Sequence, residues 1–331
     1  MPSELIYVNK PELIKVLDNH QDGEFYAIAD YKIKNHLPQW IQFATNIFWV
    51  KEPEEDKNLS TYGDALEFFL KAHIHRSSVL YVFGGGATTD LGGFVAATIL
   101  RGIPWVAVPS TLLAMIDGSL GGKTAVNTPS GKNLAGAFHE PQKVYLCSDF
   151  LTTLNEENWL SGKGEIVKYG LLSSEIYELI CNKEEIGKIA EACAKYKMAI
   201  VKEDPKEEGD RILLNLGHTL GHAFESTLKV PHGLAVLMGL KYIFEIMNQA
   251  AALEAFEKML KALDLPENKL IAKTYPDFDK KKIFDYILKD KKRSGEQVKL
   301  ILVKKPGHPY VENVSLNDFK SRINKHVEFE D

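Results

Sequence analysis

The sequence predicts an α/β domain built on a parallel sheet over residues 1–150, followed by a mostly α-helical domain over residues 151–331. Three observations predict it. The first half alternates short apolar runs with stretches of helical apolar spacing. Past about residue 150, long amphipathic stretches dominate. The chain's 331 residues, 45% of them hydrophobic, hold enough apolar mass for two cores.

In the first domain the expected strands are "FYAIA" (25–29), "NIFWV" (46–50), "SVLYVFGGG" (78–86), "PWVAVPS" (104–110) and "KVYLC" (143–147). Helical spacing falls on "TYGDALEFFLKAHIH" (61–75) and "DLGGFVAATILRG" (90–102). Strands alternating with helices imply a parallel sheet with helices on both faces. "KEPEEDKNLS" (51–60) reads as a solvated loop. In the second domain, helices are expected near 161–171, 184–203, 206–228, 232–252, 253–263 and 280–291, with a late strand at "VKLILV" (298–303).

Composition excludes several classes. The formal net charge of -5 gives no sign of a nucleic-acid or membrane partner. No apolar run approaches the roughly 18 residues of a membrane span. Three scattered cysteines argue against a disulfide framework and for a reducing, cytoplasmic setting. The first residues lack the basic-then-apolar pattern of a secretory signal.

The residues then suggest chemistry. "LYVFGGGATTDLGGF" is a strand running into three glycines and a helix. Glycines admit a ligand close to the backbone, and a helix start offers free N–H groups that suit a pyrophosphate. The spacing is not GxGxxG, since Thr89 stands where the last glycine would be. A tight structural turn explains it equally well. Asp30, Glu54 and Lys57 fall near the ends of the first two strands, where an acidic group binds ribose hydroxyls in Rossmann-like folds. "IDGSLGGKTAVNTPSGKNLAGAF" follows the fourth strand and carries Asp117, Lys123, Asn127, Lys132 and Asn133. It reads as a loop whose lysines suit phosphates and carboxylates. Glu165 and Lys168, three apart, share one helix face as a possible ion pair.

"DRILLNLGHTLGHAFE" is read as part of a single helix. Arg211, Asn215, His218 and His222, spaced four, three and four apart, then form one stripe. Gly217 and Gly221 would admit a neighbouring backbone or ligand. Four polar residues on one stripe need partners if buried. HExxH is absent, because Thr219 holds the glutamate position. Glu165, His218 and a second histidine, either His222 or His232, would make a carboxylate and two-imidazole site with open positions.

These stretches, together with "GEIVKYG" and "HGLAV", resemble the 3-dehydroquinate synthase family across about residues 80 to 240. The resemblance implies an active site in the cleft between the two domains. It implies a metal, Zn2+ or Co2+, on Glu165, His218 and His232, with His222 beside the substrate. It implies catalytic roles for Lys123, Lys168, Arg211, Asn215 and His222. It implies substrate contacts from Asp117, Lys132, Asn133, Lys197 and one lysine of "DKK", preferably Lys292. Arg101 matches an arginine reaching the neighbouring subunit's site, so a homodimer is expected. Gly84, Gly85, Gly86, Asp90, Ser110 and Thr111 match NAD+ positions, which Asp30, Glu54, Lys57, Lys123 and Lys132 extend.

The implied reaction cyclises 3-deoxy-D-arabino-heptulosonate 7-phosphate to 3-dehydroquinate with loss of phosphate. NAD+ is reduced and reoxidised within each turnover. Leu234 departs from the family, which usually has glutamate after "HG". The alternatives are a related sugar phosphate cyclase, a metal-dependent polyol or alcohol dehydrogenase, and a non-catalytic binding protein.

Overall fold

The computed structural model describes residues 3–20, 24–291 and 297–326. The chain divides into two compact units, Met1–Asn155 and Glu156–Asp331.

The first unit holds strands β1 (Glu4–Tyr7), β2 (Tyr26–Asp30), β3 (Ile47–Val50), β4 (Leu80–Gly84), β5 (Trp105–Pro109), β6 (Lys123–Thr128), β7 (Gly131–Phe138) and β8 (Lys143–Leu146). Its helices are α1 (Lys10–Asp18), α2 (Gln39–Phe43), α3 (Pro53–Asp56), α4 (Leu59–Lys71) and α5 (Gly86–Thr98). Six strands pair in parallel in the order β1-β8-β5-β4-β2-β3. Every residue of β2, β4 and β5 is buried, so these strands read as unbroken apolar runs. The edge strand β1 was not expected. Its four residues are too few and too exposed to show a pattern.

Two further expectations are corrected here. The lysine- and glycine-rich segment after the fourth strand is not a loop throughout: β6 and β7 form an antiparallel hairpin. Its polar, exposed β7 face disguised it. The segment 51–60 is not wholly solvated. It contains α3, and Lys57 is buried.

The second unit is mainly helical: α6 (Glu156–Leu172), α7 (Ser174–Cys181), α8 (Ile186–Glu203), α9 (His218–Leu228), α10 (His232–Ile246), α11 (Ala250–Ala262), α12 (Lys280–Lys291) and α13 (Leu316–Asn324). Strands β9 (Gln297–Val303) and β10 (Pro309–Ser315) make an antiparallel pair, the first of them at the expected place. No helix among the described residues is long and apolar enough to cross a membrane.

The single helix expected over 206–228 is also corrected. A 3-10 turn (Asp210–Asn215) comes first, then Gly217 at φ 79°, then α9. Gly217 breaks the helix because the left-handed region costs glycine little. The break has a packing reason. A Cβ at Gly217 would lie 2.8 Å from Leu240 of α10.

Candidate active site

The second unit brings three helices unusually close. A Cβ on Gly164 of α6 would sit 2.2 Å from the Gly233 carbonyl oxygen of α10, and one on Gly233 would sit 2.2 Å from the Ser161 carbonyl oxygen. A Cβ on Gly239 of α10 would sit 2.1 Å from the Gly217 carbonyl oxygen. Only bare backbone fits at these crossings. They hold Glu165 on α6, His218 at the start of α9 and His232 at the start of α10 in one cluster.

One ligand atom from each of Glu165, His218 and His232 lies within 4.8 Å of the others. Glu165 Oε1 is 3.4 Å from His218 Nε2 and 3.2 Å from His232 Nε2. The other ring nitrogens are committed elsewhere. His218 Nδ1 is 3.1 Å from the Leu216 carbonyl oxygen, and His232 Nδ1 is 2.8 Å from Glu225 Oε2. A carbonyl only accepts, so His218 carries its proton on Nδ1 and turns a lone pair inward at Nε2. Both Nε2 atoms thus face one carboxylate.

The electrostatics fit a cation. Glu165 and Lys168 are almost wholly buried and ion-paired on one helix face. Burial, the largest influence, lowers the pKa of His218 to about 3, against the pull of Glu165. Burial also opposes charging His232, but its bonds to Glu165 and Glu225 outweigh that and raise it to about 10. Lys168 and the His232 imidazolium therefore place positive charge around the Glu165 carboxylate, where a divalent ion would place its own. A carboxylate and two imidazoles is a donor set suited to zinc with open positions for water or substrate.

The rest of the expected stripe is split. His222 stays with the cluster as its exposed imidazole, with ring centroids 5.1 Å from His218 and 6.4 Å from His232. Arg211 and Asn215 lie on the preceding turn. Arg211 is buried, and its Nη1 donates to the Pro205 carbonyl at 2.8 Å. Asn215 Nδ2 donates to Glu207 Oε1 at 3.0 Å. Asp204 pins this loop by accepting from the backbone N–H groups of Glu208 (2.8 Å), Gly209 (2.8 Å) and Arg211 (3.0 Å). Lys197 is buried on α8. Lys292 lies outside the described residues.

In the first unit, β4 ends at Gly84 and α5 begins at Gly86, with Gly85 as an N-cap that offers no side chain. The Ser110 N–H donates to the Gly84 carbonyl at 2.9 Å. A Cβ at Gly85 would meet Thr111 at 3.0 Å, whereas one at Gly86 would meet nothing within 4 Å. Helix N–H groups and open space at the tip fit a pyrophosphate. Lys57, on the loop after α3, ion-pairs with Asp90 of α5.

Asp30 is buried and caps the following turn by accepting from the Lys32 N–H at 2.9 Å. Glu54 lies 3.8 Å from Lys132 Nζ and 3.3 Å from Asn127 Nδ2. Asp117 sits in the helical turn Ala114–Gly118. Lys123 opens β6 and is exposed, as is Asn133 at φ 58°. Arg101 is exposed at φ 69°.

Sequence reasoning missed Asp204, Glu207 and Glu225. The first two lie in a charged loop with no periodicity. Glu225 closes the quoted motif, and its three-residue step from His222 continues the stripe downstream.

A glycine cradle on a parallel sheet, paired with a helical unit that converges a carboxylate and two imidazoles, defines a class of two-unit enzyme folds. The chain shares that fold with a 2-deoxy-scyllo-inosose synthase complexed with carbaglucose-6-phosphate, NAD+ and Co2+ (TM-score 0.81, 24% identity, covering 98% of this chain and 96% of that one). It also shares it with the 2-epi-5-epi-valiolone synthase from Streptomyces hygroscopicus subsp. jinggangensis 5008, with NAD+ and Zn2+ bound (TM-score 0.82, 18% identity, covering 97% and 96%). An iron-containing alcohol dehydrogenase from Thermotoga maritima is more distant (TM-score 0.64, 14% identity, covering 98% of each chain).

Within that class the chain belongs to the 3-dehydroquinate synthase family. The family's N-terminal model matches residues 47–161 and its C-terminal model residues 162–293. The 3-dehydroquinate synthase of Streptococcus mutans serotype c (strain ATCC 700610 / UA159) is 34% identical over 96% of this chain and 91% of its own length. That of Streptococcus pneumoniae (strain JJA) is 35% identical over 95% and 90%.

Proposed function

We propose that this chain catalyses the reaction of its family, the cyclisation of 3-deoxy-D-arabino-heptulosonate 7-phosphate to 3-dehydroquinate with elimination of phosphate. The observation that carries the reading is the convergence of Glu165, His218 and His232, with both Nε2 atoms facing the carboxylate. Glu165, His218 and His232 would hold Zn2+ or Co2+, which supplies a Lewis acid to polarise a substrate hydroxyl. The Gly84–Gly86 cradle, with Asp90, Ser110 and Thr111, would hold NAD+, which supplies reversible hydride transfer.

The side chains have defined work. Lys123, Lys132, Lys197 and Arg211 offset the substrate's phosphate and carboxylate charges. Asn133 and Asn215 add hydrogen bonds that orient it. Lys168 neutralises Glu165, so the buried carboxylate is not left uncompensated. His222, exposed beside the buried His218 and the half-buried His232, takes up and returns the proton of the substrate hydroxyl. Residues 1–150 serve as the nucleotide-binding domain and 151–331 as the metal- and substrate-binding domain of a cytoplasmic homodimer, in which Arg101 serves the partner's site.

The test supplies metal-loaded protein with trace NAD+ and the heptulosonate phosphate. Phosphate released in excess of NAD+, without NADH accumulating, is expected. Stoichiometric NADH would instead indicate a dehydrogenase. His218→Ala is expected to lose bound metal and activity together; an active, metal-stripped variant would contradict the assignment.

A further inference from the structure

We propose that Glu225 is the positioning residue of the metal centre: its carboxylate fixes the ring and tautomer of His232, and so sets how tightly the ion is held. The inference rests on reading Glu165, His218 and His232 as the ligands and adds the residue that orders them.

The two imidazoles are oriented by different means. His218 uses the Leu216 backbone carbonyl, which no substitution removes. His232 uses one replaceable side chain, Glu225 Oε2, at 2.8 Å from Nδ1. Nothing in its own helix does the work instead. His232 is the first residue of α10, and the N-cap Pro231 makes no side-chain cap bond. Leu234, two residues on, is apolar, buried and unable to orient a ring by hydrogen bonding.

Geometry separates support from ligation. Glu225 bonds Nδ1, whereas Glu165 faces Nε2, and the lone-pair directions of these nitrogens diverge from the ring. An ion entering the site would displace the Nε2 proton, and Glu225, by holding the other proton on Nδ1, keeps the ring turned so that the freed Nε2 lone pair meets the ion; the added negative charge raises the basicity of that nitrogen. His218, His222 and Glu225, at i, i+4 and i+7, share one face of α9. That helix therefore supplies one ligand at its first residue and the support for another near its last turn.

The test compares wild type, Glu225→Ala and Glu225→Gln by chelator competition for Zn2+ and by the visible absorption of the Co2+-loaded protein, without substrate. Loss of an outer carboxylate partner is expected to weaken zinc binding about 10- to 100-fold in Glu225→Ala, with a changed Co2+ spectrum. Glutamine keeps a hydrogen-bond acceptor, so Glu225→Gln should recover part of the affinity and most of the spectrum. Wild-type affinity in Glu225→Ala, or equal loss in both variants, would overturn the proposal. Unfolding of the metal-free proteins checks that each variant folds. Should Glu225→Ala not fold, Glu225→Gln decides alone: a measurable weakening supports the role and unchanged binding contradicts it. A wild-type protein that binds no zinc would instead sink the metal-site reading itself.

Discussion

At the residue scale, the site depends on side chains held by partners that the spacing of the sequence does not show. Asp204 is the clearest case outside the metal cluster. Desolvation works to raise its pKa, but hydrogen bonds from Glu208, Gly209 and Arg211, with the Arg211 charge, outweigh it and hold the carboxyl below its ordinary 3.8. A depressed folded-state value means the contribution to stability is present above pH 3.8 and is lost as pH falls through the folded value. Asp204→Asn should therefore unfold at lower temperature than wild type at pH 7, and the gap should narrow toward pH 3. A gap that widens in acid would contradict the assignment. Glu165 and His218 were legible as candidate ligands because a carboxylate and an imidazole stand out within long motifs. The second histidine was not legible from spacing, which left His222 and His232 equivalent; the family resemblance alone implied His232. The structure separates them by direction: His232 Nε2 faces Glu165 at 3.2 Å, whereas His222 is exposed.

At the scale of elements, five of the six parallel strands were legible, and the central β2, β4 and β5 most plainly, because they are buried throughout and read as apolar runs; the partly exposed edge strand β1 was not. The hairpin and the break before α9 were not, because each turns on glycine-permitted close approaches rather than periodicity. The polar stripe suggested one continuous helix. The cost of that continuity would be a side chain or helical turn where Gly217 meets α10. The Gly164–Gly233 crossing makes a matching prediction. Alanine inside a helix is favoured over glycine by about 0.5–1 kcal/mol. Here the added Cβ would meet a carbonyl oxygen at 2.2 Å, with no flexible side chain to yield. Overpacking of this kind typically costs about 1–3 kcal/mol, so the clash wins. Gly164→Ala should lower the unfolding temperature and weaken metal binding together, by parting α6 from α10. A variant stabilised by its alanine, with metal affinity intact, would show that the close crossing does not set the site.

At the scale of the whole molecule, the proposed function gives each unit one part of the chemistry: the cradle of Gly84–Gly86 in the first, the carboxylate and two imidazoles in the second. The proposed homodimer adds a third part through Arg101, exposed at φ 69°. If Arg101 serves the partner's site, Arg101→Ala and His218→Ala should each be nearly inactive alone. Mixed and randomly reassociated in equal amounts, they should regain about a quarter of wild-type activity, because half the dimers then hold one intact site. No recovery in confirmed mixed dimers would place Arg101 in its own subunit's site. The central claim, that three side chains from α6, α9 and α10 grip one divalent ion, is tested most directly by anomalous diffraction at the zinc edge from zinc-loaded crystals. The account predicts one strong peak per chain bounded by Glu165, His218 Nε2 and His232 Nε2. Zinc located elsewhere at saturating metal, with Glu165 still bonded to Lys168 and the two histidines, would contradict it.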